Sequence, residues 1–305
     1  TVLPECLGDP FVGLLFAVII FAFGGGLLEV LVSPVVEACP TDNKEKAMSL
    51  LHSFYCWGHV GVVLLSTLFF RIFGIANWKY MALVWALIPI ANGIFFTRVP
   101  IAPLLDEGEK GLTMGELFKK KIFWVLMLMM LCAGASEQAV SQWASTLAEK
   151  NFGINKTIGD LAGPMAFAIL MGSSRAFYGK FGDKINLERF MQYSAVLCMV
   201  SYLMIAFIPV PALGILGCAV CGLSVGIMWP GTFSMAAASV KRGGTALFAL
   251  LALAGDVGCS SGPTYVGMIS GALNDNLKLG IFAALIFPVL MIMGIKMIGS
   301  LQKYD

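Results

Sequence analysis

Long apolar runs separated by short polar breaks dominate this chain. Nine runs can be delimited, at 11–38, 47–71, 79–97, 121–148, 157–178, 187–208, 211–240, 243–271 and 279–298. A helix needs roughly 20 mostly apolar residues to cross a bilayer core, and these runs are near or beyond that length. The pattern predicts an all-α, polytopic membrane helix bundle. Most breaks carry turn chemistry, as in Pro40-Thr41-Asp42-Asn43, Ile208-Pro209-Val210-Pro211, Lys241-Arg242-Gly243-Gly244 and Asn274-Asp275-Asn276. The break at 98–120 is longer and more polar. It holds Arg98, Asp106, Glu107, Glu109, Lys110, Glu116 and Lys119-Lys120-Lys121, and it is the expected boundary between two halves.

The apolar pattern also repeats. Gly58-His59-Val60-Gly61 returns as Gly255-Asp256-Val257-Gly258, 197 positions on. Pro34 matches Pro230 at an offset of 196, and Pro89 matches Pro288 at 199. The first three spans therefore correspond to the last three, and internal duplication with Gly-rich helices marks secondary transporters. Six spans follow the polar connector and three precede it. The expectation is a twelve-span plan truncated at its N-terminus: residues 1–97 as a partial N-terminal half, 98–120 as the central loop and 121–305 as the C-terminal half. That the chain opens on Thr1 fits this expectation.

Composition agrees with a membrane protein. Hydrophobic residues make up 58% of the chain and charged residues 12%, about half the charge of an average soluble domain. The net charge of +2 comes from basic residues at the ends of apolar runs, not from a stripe, so no nucleic-acid partner is expected. With the 98–120 connector inside, loops on that side carry 15 Lys and Arg and the other side 5. The bias predicts a multi-pass cell-membrane protein with a cytoplasmic C-terminus. Asn155-Lys156-Thr157 would be a glycosylation sequon on the outer side. Most of the eight cysteines lie in apolar runs and read as small hydrophobes. Cys218-x-x-Cys221 has no second pair and no nearby His, so helix packing is expected there, not a metal. No phosphate loop, nucleophile triad or metal spacing appears. No enzyme activity and no cofactor is expected, and an ion gradient is the remaining source of energy.

Several motifs resemble those of the major facilitator superfamily. Gly172-Ser-Ser-Arg175 with Gly179-Lys180-Phe-Gly182-Asp183-Lys184 is similar to its cytoplasmic loop motif in degenerate form. Gly255-Asp-Val-Gly258-Cys-Ser-Ser-Gly262-Pro263 is similar to the Gly-Pro motif of its fifth and eleventh helices. Gly24-Gly25-Gly26-Leu-Leu-Glu29-Val and Ser49-Leu-Leu-His52-Ser-Phe54 resemble the fucose permease group of sugar–proton symporters. The resemblance implies a twelve-helix, two-half fold in which the first three spans are helices four to six. It also implies that Arg175 and Asp183 act at a cytoplasmic gate, and that a Glu at the position of Glu29 takes part in proton coupling.

The residues themselves give candidate chemistry. Glu29 lies about eight positions inside its span, at roughly 12 Å depth, where a charge costs about 2.5–3.5 kcal/mol on insertion scales. Its repeat counterpart is Val225, so the scaffold does not demand a carboxylate there. It reads as a proton site that also touches solute, or as a structural pair. Gly134-Ala-Ser-Glu137-Gln138-Ala-Val-Ser141-Gln142-Trp143 is the most polar run inside any span. Glu137 and Ser141 share one face, with Gln138 and Gln142 beside them. Hydroxyls, amides, a carboxylate and the Trp143 indole suit a sugar site, and an interhelical network is the other reading. Asp256 is a second proton site or a packing lock. His52, Tyr55 and His59 share a face, and His59 is a proton-relay candidate. Trp229-Pro230-Gly231 should break its span and expose carbonyls to a cavity, with Trp229 able to stack on a sugar. The expected function is proton-coupled symport of a small polar solute by a monomer in the lipid bilayer. A drug or metabolite exporter and a solute sensor that does not transport remain open alternatives.

Overall fold

The computed structural model describes residues 4, 8–104, 111–151, 153 and 161–301. Helix is the only regular secondary structure among the described residues, with no strand among them. The helices are α1 (Pro10–Ala38), α2 (Lys44–Phe73), α3 (Trp78–Phe96), α4 (Met114–Lys119), α5 (Lys121–Ser141), α6 (Ala166–Phe181), α7 (Leu187–Phe207), α8 (Pro211–Val225), α9 (Met228–Ser239), α10 (Gly244–Ala272), α11 (Leu277–Ala283) and α12 (Ile286–Leu301). The polar breaks start the helices. Asp9, Asn43, Asn186 and Asn276 each cap the following helix by accepting a backbone N–H within its first turn.

Among the described residues, eight helical stretches are long and apolar enough to cross a membrane. They match eight of the nine predicted spans. The remaining one, 157–178, begins outside the described residues, and its described part is α6 after a wide turn at Leu161–Met165. The sequon at 155–157 and the terminal Lys303-Tyr304-Asp305 also lie outside. The polar connector holds a helix that the apolar pattern did not predict. Thr113 and Glu116 form a reciprocal capping box that starts α4, with the Thr113 N–H donating to Glu116 Oε2 at 2.7 Å.

α5 is the axis of the larger bundle. It packs along α10, α12, α9 and α8. Its contact with α10 is backbone to backbone. A Cβ on Gly258 would overlap the Leu131 carbonyl, and one on Gly262 would sit 2.6 Å from the Ala135 carbonyl oxygen. The small-residue spacing of Gly258 and Gly262 thus lets the two helices touch. α2 packs along α6 in a similar seam. A Cβ on Gly172 would lie 2.9 Å from Cys56 Cβ, and one on Gly179 3.2 Å from Leu50 Cβ. Outside that seam, α1–α3 present apolar side chains outward. The most apolar 18 residues of α1 have a mean hydropathy of 2.5 yet only 6% of them are buried, against 72% of the corresponding stretch within Lys121–Glu149. Surfaces so apolar and so exposed belong in lipid rather than water.

Candidate functional site

One cavity of about 570 Å³ lies where α1, α2, α5, α6, α9 and α10 converge. The contribution of α1 is a single stripe: Gly25, Leu28, Glu29, Val32 and Ser33 recur every three or four residues. α2 adds Leu51, His52 and Tyr55, and α5 adds Glu137 and Gln138. Arg175 comes from α6, Trp229 from α9, and Asp256 and Cys259 from α10. Three carboxylates, a guanidinium, an amide, an imidazole, a phenol and an indole therefore border one space.

Arg175 organises one wall. Its side chain is 3% exposed and that of Glu137 8%, and Arg175 Nη2 donates to Glu137 Oε2 at 3.1 Å. Nε donates to the Gly226 carbonyl at 2.7 Å, and Nη1 donates to the His52 carbonyl at 2.9 Å. Cys56 Sγ accepts a longer contact from Nη1 at 3.4 Å, and the Tyr55 ring centroid lies 6.0 Å away. The Gly226 carbonyl is free for a reason written in the sequence. In a continuous helix it would accept from the N–H of residue 230, but residue 230 is proline and has none. The helix breaks between Val225 and Met228, and Arg175 takes the orphaned oxygen.

Aromatic rings form the neighbouring wall. His52 stacks on Phe233 with centroids 5.8 Å apart at 17°, and Phe233 stacks on Phe248 at 5.5 Å and 27°. Trp229 meets Phe233 edge-on at 6.2 Å. The imidazole Nε2 of His52 lies 3.3 Å from Ser33 Oγ, which ties α1 to α2. Gly255 gives the Trp229 indole its seat, because a Cβ there would overlap the ring. The first glycine of the repeated Gly-x-x-Gly string thus serves Trp229 in this copy, and the last, Gly258, serves the α5 contact.

A second cluster ties the start of α2 to the end of α6. Asp183 accepts from Lys46 and, at 2.8 Å, from Asn43 Nδ2. Tyr178 Oη donates to Glu45 Oε2 at 2.7 Å. The Lys46 hydrogen bond, aided by Asn43, holds the Asp183 carboxyl below its usual range although the group is exposed.

Glu29, Glu137, Gln138, Asp256 and Trp229, expected from the sequence, all border the cavity. The expected placement of Arg175 beside Asp183 at the membrane edge needs correction. Eight residues, about two helical turns, separate them along the chain. Arg175 is buried against Glu137 in the cavity wall, and Asp183 alone joins the end cluster. Ser141, Gln142 and Trp143 do not border the cavity, because α5 ends at Ser141 and the face does not continue. Trp143 Nε1 instead donates to the Pro263 carbonyl at 3.0 Å, a helix-to-helix tie. His59 lies about two turns beyond His52 and is also outside the lining. Sequence reasoning gave little weight to His52 and none to Ser33 or Cys259. The signal for Ser33 was its four-residue spacing from Glu29.

Apolar helices of spanning length thus surround a polar cavity. The sequence model of the Major Facilitator Superfamily matches residues 6–263, and the chain belongs to that superfamily. Among curated proteins it is similar to Membrane protein MosC of Rhizobium meliloti, with 24% identity over 280 residues that make up 90% of this chain. The chain spans 64% of the length of that relative. Two solved structures share the fold. One is the major facilitator transporter FucP in the outward conformation, with TM-score 0.78 and 14% identity over 94% of this chain and 76% of the other. The second is a variant of the E. coli fucose:proton symporter FucP, with TM-score 0.77 and 15% identity over 94% of this chain and 77% of the other.

Proposed function

We propose that the protein carries a small polar solute, with sugars as the first class to test, in symport with protons by alternating access. The observation that carries this reading is the mixed wall of the cavity. Glu29, Glu137, Asp256, Gln138 and Arg175 offer convergent hydrogen bonds, and Trp229 and Tyr55 offer ring faces. Sugars need both. The volume of about 570 Å³ suits a small ligand, since such pockets run from about 300 to 1,000 Å³. The fucose:proton symporter named among the neighbours fits the same class.

In this reading residues 1–97 and 121–305 belong to the two halves of a twelve-helix plan, joined at 98–120. The protein works as a monomer in the cell membrane, with its C-terminus and the Lys46–Asp183 cluster on the cytoplasmic side. Glu29 binds the coupling proton. Neutral, it tolerates a closed, water-poor state; ionised, it does not. Rocking of the halves about the cavity then carries proton and solute together.

A thermal-shift screen of hexoses, pentoses and polyols should select a ligand, and proteoliposomes holding the full chain should exchange that ligand, labelled, in counterflow. Binding without exchange would make the protein a sensor. Exchange of bulky apolar cations in place of sugars would make it an exporter.

A further inference from the structure

The seam between α2 and α6 is held by more than small residues. At one position on α6, both the backbone and the side chain of Arg175 reach α2. Ser49 Oγ donates to the Arg175 carbonyl at 2.7 Å, and Arg175 Nη1 donates to the His52 carbonyl at 2.9 Å. The same guanidinium holds Glu137 on α5 and the orphaned Gly226 carbonyl beside α9. Of these acceptors only Glu137 is a carboxylate, and it borders the cavity.

We propose that Arg175 is a positioning residue of the transport cycle. It pins α2 to the wall built from α5, α6 and α9, and its hold depends on Glu137, so that engagement or neutralisation of that carboxylate from the cavity loosens the α2–α6 seam. A buried guanidinium keeps a fixed fork only while its carboxylate partner is charged and aligned. With Glu137 occupied by a solute hydroxyl or a proton, two neutral carbonyls and a thiol are left to hold the cation. Other titratable groups around this space are Glu29 on α1, His52, Tyr55, Cys56 and His59 on α2, and Asp256 and Cys259 on α10. Among the described residues, Glu137 is the carboxylate that hydrogen-bonds Arg175. The pin has a built-in reporter. Cys56 is a free, fully buried thiol on α2, facing Gly172 across the seam and touching Arg175.

The inference takes its purpose from the transport reading, but its test needs no solute, so either can fail alone. Membranes holding the full chain are treated with N-ethylmaleimide, and alkylation of Cys56 and Cys198 is followed by peptide mass spectrometry. Cys198, buried in α7 away from the seam, reports general loosening. In Glu137→Gln, and in Arg175→Lys, which keeps the cation but loses the fork, Cys56 should react about tenfold faster or more, as expected when a buried pair is broken. Cys198 should stay slow. Asp256→Asn, which neutralises a different cavity carboxylate, should leave Cys56 slow. Unchanged Cys56 in Arg175→Lys, which keeps both charges beside the thiol, would overturn the proposal whatever Glu137→Gln does, because removing a carboxylate near a thiol speeds alkylation by itself. Equal acceleration of Cys56 and Cys198, or acceleration by Asp256→Asn, would overturn it too.

Discussion

Arg175 and Glu137 form a buried ion pair with two further carbonyl partners, and its chemistry differs from that of an exposed bridge. Removing one partner leaves a buried charge poorly compensated, which costs about 3–5 kcal/mol in soluble proteins. Glu137→Ala should fall near the low end, about 3 kcal/mol, because the Gly226 and His52 carbonyls stay with the guanidinium. Denaturation in detergent measures this, and a loss below about 1 kcal/mol, the level of an exposed pair, would place the pair in water. Gly255→Ala tests the seat of Trp229. Overpacking there should cost about 1–3 kcal/mol, and adding Trp229→Phe should recover much of it, since the overlap is with the outer indole ring. Glu29, Glu137 and Asp256 were legible in the sequence because a carboxylate inside an apolar run stands out against its neighbours. The burial of Arg175 was not, because a basic residue near the end of a run reads as an interfacial anchor. Only the Pro230 break on another helix explains what it holds.

At the scale of elements, Pro230 is the informative residue. The sequence predicted that Trp-Pro-Gly would interrupt its span, and the interruption falls at Gly226 and Ile227, one turn earlier, because proline deletes the bond to the carbonyl four residues back. Pro230→Ala restores the missing donor and makes Gly226 a contested acceptor. Its effect on stability should therefore be coupled to Arg175→Lys by about 1–3 kcal/mol in a double-mutant cycle, the range for hydrogen bonds to charged groups. Strict additivity would separate the break from the arginine. The short α4 went unpredicted because the long apolar signal drowns a Thr-x-x-Glu cap in a polar loop. The same loss of periodicity at the end of α5 removed Ser141, Gln142 and Trp143 from the cavity. The end cluster carries a pH expectation. Asp183 has its carboxyl depressed by Lys46, so the stabilisation is complete above the ordinary carboxylate value of 3.8 and is lost only as pH falls through the lower folded value. Transport variants altered at this cluster should thus show no added pH dependence between about pH 5 and 8. Asp183→Asn should alter the exchange rate at any pH in that window, and the swap Lys46→Asp with Asp183→Lys should restore it. A swap as impaired as the single change would mean that the pair does not tie α2 to α6 during the cycle.

For the molecule as a whole, the fold class was legible because bilayer thickness imposes run length, and run length survives in one sequence without any knowledge of packing. The matching strings at Gly58 and Gly255 led to the expectation of a duplication, yet the two strings use their glycines differently. Gly255 and Gly258 lie against Trp229 and the Leu131 carbonyl, whereas a Cβ on Gly58 or Gly61 would meet nothing within 4 Å. Which residues share a cavity depends on how six helices turn relative to one another. Local periodicity fixes the stripe on α1, Ser33 included, but not which helices face it, which is why Cys259 went unnoticed.

The most direct measurement compares Glu29→Gln with the wild-type chain in proteoliposomes, using the sugar or polyol that the thermal-shift screen selects. Glutamine keeps the shape of the protonated side chain but cannot release a proton. Exchange needs no net proton transfer, whereas accumulation against a gradient does. Proton-coupled symport through Glu29 predicts that the variant retains counterflow and loses accumulation driven by an imposed pH gradient. Wild-type accumulation by Glu29→Gln would contradict the account.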